Sequence, residues 1–98
     1  MAAQMSEVFR ALGHTDRLAI LDQLRQLPGQ AAGVSEVADL TGISRFAASY
    51  HLGVLREAGI LWVDQHKLRR VHRMNLPLIT EIEDWAYQLT EAPGALSA

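Results

Sequence analysis

Apolar residues near the start of the chain recur at the spacing of one helix face. Four of them lie at positions i, i+3, i+4 and i+7: Met5, Val8, Phe9 and Leu12. Because an α-helix has 3.6 residues per turn, this spacing places all four side chains on one side of a helix. The pattern predicts a first helix over about residues 3–12, which ends at Gly13.

A second and more apolar helix is predicted to follow. It begins near residues 14–15, and Asp16 in its first turn is favoured by the positive end of the helix dipole. Its apolar residues should form the centre of the core: Leu18, Ile20, Leu21, Leu24 and Leu27. A Pro-Gly pair at 28–29 closes this helix, and we expect the small, polar link at 30–33 to be a surface loop.

The middle of the chain contains two predicted helices separated by a turn of about three residues. Ser35 can cap the first of them, and Gly42 supplies the left-handed residue that ends it after Thr41. Ser44 can cap the second helix. That helix has an apolar face at i, i+4 and i+7: Ala48, Leu52 and Leu55. Two helices joined by so short a turn are typical of the helix-turn-helix motif.

Two strands are predicted after these helices. The first is an apolar run at 60–63, and the second is an alternating segment at 70–74 that places His72 and Met74 on one face. The connection at 65–69 lacks the Gly or Asn-Gly signal of a tight two-residue turn. The pattern therefore predicts a hairpin with a longer, mobile loop at its tip.

A last helix is predicted from Pro77, which fits a first helical turn, to about Leu89. Its apolar residues share one side: Leu78, Ile82, Trp85 and Leu89. A 98-residue monomer does not easily cover this much apolar surface. Two interpretations remain open, because these side chains could close the core of one chain or meet a partner surface.

The segment from 34 to 63 resembles the ArsR/SmtB family of small bacterial winged-helix repressors. The resemblance extends to residues 11–21, which are similar to the start of the family's second helix, and to residues 52–60, which are similar to the exit of its recognition helix. It covers about residues 5–90, far more than a motif match. It implies a mainly α fold with a small β-hairpin wing, namely a dimeric winged helix-turn-helix of order ααααββα.

The resemblance also implies a domain organisation and an interface between two copies of the chain. One DNA-binding domain would cover residues 1–98, with dimerisation helices at 1–13 and 77–90, the helix-turn-helix at 35–58 and the wing at 60–75. In the family, the first and last helices form a two-fold dimer interface. The matching apolar residues here are Met5, Val8, Phe9, Ile82, Trp85 and Leu89.

Charge is unevenly distributed along the chain. The formal net charge of −2 argues at first against a nucleic-acid partner, because phosphate binding depends on Lys and Arg. Between residues 44 and 75, however, six basic residues face two acidic ones, a net +4, while the rest has three against nine, a net −6. A basic run is often only a solvated surface, but one that coincides with a helix-turn-helix indicates a nucleic-acid footprint.

By the same resemblance, eight residues are expected to contact double-stranded DNA: Ser44, Arg45, Phe46, Ser49, Tyr50, Lys67, Arg69 and Arg70. Arg45 can donate two hydrogen bonds to guanine, and Phe46 could either touch a thymine methyl or pack against the preceding helix. The wing cations would raise affinity more than specificity. His51 is expected to be a packed residue, and Arg73 to pair with an acid.

Other classes of function are less well supported by the sequence. There is no cysteine, so thiolate metal sites and thiol catalysis are excluded, and no phosphate loop or catalytic Ser-His-acid set indicates an enzyme. We therefore predict neither a cofactor nor a metal site, since Glu81, Glu83 and Asp84 lack a histidine on their helix and the other histidines show no paired ligand spacing.

The main prediction is a homodimeric repressor that binds a pseudo-palindromic operator, with an unknown inducer or partner protein. Without a signal peptide or a membrane span, we expect a cytoplasmic protein. Two alternatives stay open at this point. One is a repressor that senses nickel or zinc through His and carboxylate ligands, and the other is a winged-helix protein interaction module, since a fold does not determine function.

Overall fold

The computed structural model describes residues 2–91 and 93, with side chains from Met5 onward. Within these residues the elements in chain order are α1 (Ala2–Leu12), α2 (Thr15–Leu24), β1 (Ala31–Ala32), α3 (Val34–Thr41), α4 (Arg45–Glu57), β2 (Leu61–His66), β3 (Arg69–Met74) and α5 (Leu76–Gln88). The strands form one antiparallel sheet in the order β1-β3-β2. The predicted winged helix-turn-helix architecture is confirmed. The remaining residues of the predicted domain, 1, 92 and 94–98, lie outside the described part.

The core lies where α2, α3 and α4 meet the sheet. Its largest side chains are shielded almost completely from solvent: Ile20, Leu24, Leu52, Leu55, Ile60, Leu61, Val8 and Val37. The predicted apolar face of α4 is confirmed, because Ala48, Leu52 and Leu55 are fully buried. Burying a leucine side chain contributes roughly 1.5–3 kcal/mol, so this face firmly attaches α4 to the domain. None of the helices in the described part is long and apolar enough to cross a membrane.

The helix ends of the motif follow local capping rules, with one correction. The Ser44 Oγ accepts a hydrogen bond from the Ala47 N–H at 3.0 Å, and Gly42 ends α3 with φ 76°, as predicted. The predicted cap at Ser35 is wrong. The helix already begins at Val34, and the Glu36 Oε1 instead accepts a hydrogen bond from the Gly33 N–H at 3.0 Å.

The link at 30–33, predicted to be a surface loop, contains a strand. Ala31 and Ala32 pair with Arg73 and His72 of β3, and Ala32 is completely buried. The helix before it is also shorter than predicted, since α2 ends at Leu24. Two small residues supply no periodic signal. They become a strand because β3 offers a free edge whose N–H and C=O groups need partners.

The wing tip also differs from its prediction. The hairpin pairs as far as His66 with Arg69, so only Lys67 and Leu68 form the turn. Lys67 has φ 57°, the position at which a II′-type turn usually has glycine, and the Gln65 side chain donates a hydrogen bond to its carbonyl at 3.0 Å. A left-handed lysine costs roughly 1–2 kcal/mol, which the six residue pairs of the hairpin offset.

The outer half of α5 leaves apolar side chains at the surface. Leu78, Ile79 and Ile82 pack against the core, whereas Trp85 is 41 % exposed and Leu89 is 69 % exposed. The domain is correspondingly long, measuring 58 by 25 by 25 Å. The last helix therefore extends past the core that covers its first turns.

The six residues assigned to a dimer interface divide into two groups. Met5 and Val8 are buried inside the single chain, with 7 % and 2 % exposure, so they belong to its core and offer little surface to a partner. Phe9, by contrast, is 37 % exposed and lies with its ring centroid 5.0 Å from that of Trp85. Ile82 is partly buried against the core, and Trp85 and Leu89 stay exposed with Phe9, so these three residues offer the larger surface for the interface that the resemblance predicts.

Candidate nucleic-acid interface

The outer face of α4 presents polar and aromatic side chains to solvent. Arg45, Ser49 and Tyr50 are exposed, and the opposite face of the same helix is buried in the core. The first turn is held by the Ser44 cap. This arrangement fixes the helix rigidly while leaving its N-terminal half free, which is the disposition needed for a helix that reads a DNA major groove.

Phe46 is 87 % exposed and therefore does not pack against the preceding helix. Of the two interpretations left open by the sequence, packing is wrong. Tyr50 is 61 % exposed, although the edge of its ring contacts His51 at a centroid distance of 5.3 Å. Two adjacent turns of α4 thus each present an aromatic ring on the surface, beside Arg45.

The wing contains four basic residues, and two of them form ion pairs with acidic side chains. Arg73 donates to Asp64 across the hairpin at 2.7 Å and lies 4.8 Å over the ring of Trp62, as expected of a strand arginine. The hydrogen bond lowers the pKa of the Asp64 carboxyl and raises that of Arg73. Arg69 donates to Glu36 at 2.6 Å, so it ties the wing to the start of α3. Among the described residues, no ion pair involves Lys67 or Arg70.

The back of α4 is joined to α2 through His51. This imidazole is 6 % exposed, so the prediction of a packed histidine is confirmed. Its Nδ1 lies 3.1 Å from Arg17 Nη1, and its Nε2 lies 3.6 Å from Asp16 Oδ2, while Arg17 Nε donates to the Ala11 carbonyl. Burial, together with His14 and Arg17, lowers the pKa of His51.

His14 completes this cluster, which sequence reasoning did not find. The His14 Nδ1 accepts a hydrogen bond from the Asp16 N–H at 3.1 Å and thereby caps α2, and its ring lies 4.5 Å from that of His51. The sequence shows no paired ligand spacing for His14, whereas the fold places its ring beside that of His51. The two histidines are far apart in sequence, and only the packing of α2 on α4 brings them together. The available signal was local, namely a histidine at a helix start and another beside a buried stripe.

A comparison with protein-family models matches residues 12–63 to the helix-turn-helix domain family. This match covers more than half of the 98 residues. The chain belongs to the helix-turn-helix domain family. The match runs from the end of α1 through α4 into β2, and thus contains the exposed helix face and the His51 cluster described above.

Curated relatives agree with this helix-turn-helix assignment. The HTH-type transcriptional regulator YgaV of Escherichia coli is 38 % identical over 60 residues, which are 61 % of this chain and 59 % of YgaV. An uncharacterised HTH-type transcriptional regulator of Bacillus subtilis, YceK, is 38 % identical over 55 residues, 56 % of this chain and 54 % of YceK. The matches therefore span less than two thirds of the length of these relatives.

Solved structures share the whole winged helix-turn-helix fold. The homodimeric winged helix-turn-helix DNA-binding domain of Mb0332 from Mycobacterium bovis, described as a possible ArsR-family regulator, has a TM-score of 0.70 and 26 % identity, covering 92 % of this chain and 84 % of that one. An ArsR-like regulator from Rhodococcus has a TM-score of 0.78 at 22 % identity, with 91 % and 81 % covered. The resemblance to ArsR-type regulators is thus confirmed.

Proposed function

We propose that this chain is a homodimeric transcriptional regulator that binds double-stranded DNA, and that it represses by occupying promoter DNA. The observation that carries this proposal is the exposed face of α4, where Arg45, Phe46 and Tyr50 project from a helix whose other side is buried. Solvated aromatic rings cost hydrophobic free energy unless a partner covers them. DNA bases and the thymine methyl group provide such a partner.

The exposed side chains suggest a division of roles. Arg45 reads guanine through its two parallel donors, while Ser49 and Tyr50 donate hydroxyl hydrogen bonds to bases or phosphates. Lys67 and Arg70 neutralise phosphates beside the helix. Ser44 and Arg69 also have structural roles, because the Ser44 Oγ accepts the hydrogen bond that caps α4 and the Arg69 guanidinium donates to Glu36, and each keeps a donor that can reach a phosphate.

The homodimer is proposed from the apolar surface of α1 and α5. Phe9 and Trp85 contact each other and stay partly exposed, and Tyr87 and Leu89 continue the surface towards the end of α5. Mb0332, which shares the fold, is a homodimer. A two-fold dimer would place two α4 helices about 34 Å apart, the separation of successive major grooves on one side of DNA.

Trp85→Ser is expected to weaken dimerisation by roughly 30-fold, because a buried interfacial tryptophan typically contributes about 2 kcal/mol or more. Sedimentation equilibrium at several protein concentrations measures the change, and circular dichroism shows whether the helices persist. Leu40→Ser is the matched control, since Leu40 is 44 % exposed on α3, away from the α1 and α5 surface. An unchanged dissociation constant for Trp85→Ser would show that α5 does not form the interface.

The proposed DNA binding is tested by selecting preferred sequences from a random DNA pool and titrating the best site at 50 and 200 mM salt. We expect a pseudo-palindromic site and a steep loss of affinity with salt. If each protomer contacts about three phosphates, the slope of log K against log salt should be on the order of −5. No enrichment of any sequence, or affinity that ignores salt, would contradict the proposal and favour a protein interaction module.

A further inference from the structure

His14, Asp16 and His51 form a small cluster of metal-ligating groups where the start of α2 meets α4. One ligand atom from each residue lies within 4.8 Å of the others. The His51 Nε2 and the Asp16 Oδ2 are 3.6 Å apart. Two ligands of a tetrahedral zinc ion, each about 2.0–2.1 Å from it, are separated by about 3.3 Å, so this pair already has nearly the required spacing.

The three residues differ in burial in a way that suits metal binding. His51 is buried and held by the packing of α4, so it supplies a fixed ligand. His14 and Asp16 lie at the start of α2 with accessible side chains, and a rotation of His14 towards His51 would give up the cap in which its Nδ1 accepts from the Asp16 N–H. Two imidazoles and one carboxylate are a donor set that zinc accepts, with the fourth position open to water.

We propose that His14, Asp16 and His51 bind one divalent transition-metal ion of the zinc type. The site differs from the acidic groups of α5, which lie on exposed turns without a histidine. It uses two elements that are distant in sequence and adjacent in space. A metal ion there would link the start of α2 directly to the middle of α4.

Arg17 competes with this ion for His51. The Arg17 guanidinium donates towards Nδ1 at 3.1 Å, so Nδ1 accepts and the ring hydrogen sits on Nε2. When a neutral histidine binds a metal through Nε2, that hydrogen must move to Nδ1, which then becomes a donor. Two donors cannot share a hydrogen bond. Metal binding therefore displaces Arg17 from His51, and removing Arg17 should strengthen metal binding.

Replacement of Arg17 by a metal ion at His51 should change DNA binding. This part of the inference rests on the proposed function. His51 lies on α4 directly after Tyr50 and contacts its ring. Replacing the arginine contact by a metal link changes what holds α4 against α2. A metal-loaded protein is therefore expected to bind its selected DNA site with an affinity that differs at least about threefold from that of the chelator-treated protein.

The direct test is a titration of the full-length, chelator-treated protein with Co²⁺, followed by absorption, and with Zn²⁺, followed by calorimetry. We expect one ion per chain, displacement of Co²⁺ by Zn²⁺, and the visible absorption of a four-coordinate Co²⁺ site. His14→Ser keeps a residue that can cap α2 but removes the imidazole, and it should weaken binding at least about tenfold. His66→Ser is the control, because His66 is exposed on the wing.

Arg17→Ala is a more specific test, since it should tighten Co²⁺ binding about tenfold if arginine and metal compete for His51. The absence of saturable one-to-one binding would overturn the metal site, as would equal binding by the wild type, His14→Ser and His66→Ser. These readouts need no DNA, so they remain informative if the proposed regulator function fails. A protein that binds the metal but shows no sequence-selective DNA binding would contradict the proposed regulator function and still support the metal site.

Discussion

Arg45→Ala is expected to lower affinity for the selected operator by at least about tenfold while leaving the free energy of unfolding within about 0.5 kcal/mol of wild type. Arg45 is exposed and is not part of the core, so its removal should cost little stability. A bidentate arginine-guanine contact contributes roughly 1–3 kcal/mol of discrimination, and a dimer loses one such contact in each half-site.

The expected loss is specific to one base position. Titrations against the selected site and against sites changed at single base pairs should show that Arg45→Ala no longer distinguishes guanine at the position it reads. Arg25→Ala is the matched control, because Arg25 is an exposed arginine at the end of α2 that pairs with Asp22. If both variants lose affinity equally and uniformly across sequences, the arginine acts only through charge and the proposed base contact is wrong.

His72→Leu is expected to raise the free energy of unfolding at pH 7 by about 1–3 kcal/mol. His72 is 3 % exposed on β3, and neither ring nitrogen has a hydrogen-bond partner among the described residues. A buried polar group without a partner costs about that amount, and leucine fills a similar volume without polar atoms. Burial, followed by the charges of Arg70 and Arg56, lowers the pKa of His72 to about 4.

The same residue should make the wild type sensitive to acid. Because the folded-state pKa of about 4 lies below the ordinary 6.5, the unfolded chain binds more protons than the folded chain between these values. Protonation of His72 therefore does not lower the free energy of unfolding above about pH 6.5, and it lowers this free energy progressively as the pH drops towards 4. The contribution of His72 to this loss is on the order of 3 kcal/mol.

Urea denaturation at pH 7.0, 5.5 and 4.5 measures both effects. The difference in unfolding free energy between His72→Leu and wild type should widen as the pH falls, which separates His72 from carboxylates common to both proteins. His66→Leu is the control, because His66 is exposed at the wing tip and should shift neither value. A constant difference at all three pH values would mean that His72 is not the group that titrates.

Much of the fold could be predicted because its signals are local. Gly42 ends α3 in the left-handed conformation and Ser44 caps α4, and each acts through atoms within a few residues of itself. The buried face of α4 follows from the spacing of Ala48, Leu52 and Leu55. Helix periodicity and capping require no knowledge of the rest of the chain, which is why the motif is readable in the sequence.

Two of the errors share a different cause, because each depends on a distant partner, whereas the misplaced cap at Ser35 is a local error in the start of α3. Ala31 and Ala32 form a strand only beside the free edge of β3. Lys67 adopts its left-handed conformation only because the strands pair as far as His66 and Arg69. The Phe46 alternatives, likewise, could be separated only by the solvent exposure of the folded chain.

The sequence by itself determined the helix-turn-helix, the order of the five helices and the two hairpin strands, and the basic character of residues 44–75, since these depend on local spacing and composition. Only the tertiary structure decided which cations stay free, with Arg69 and Arg73 held by Glu36 and Asp64, and which histidines meet. The physical reason is the separation along the chain between the groups that interact. Backbone periodicity acts over a few residues, whereas ion pairs and ligand clusters form between groups that only the packing of distant elements brings within a few ångströms.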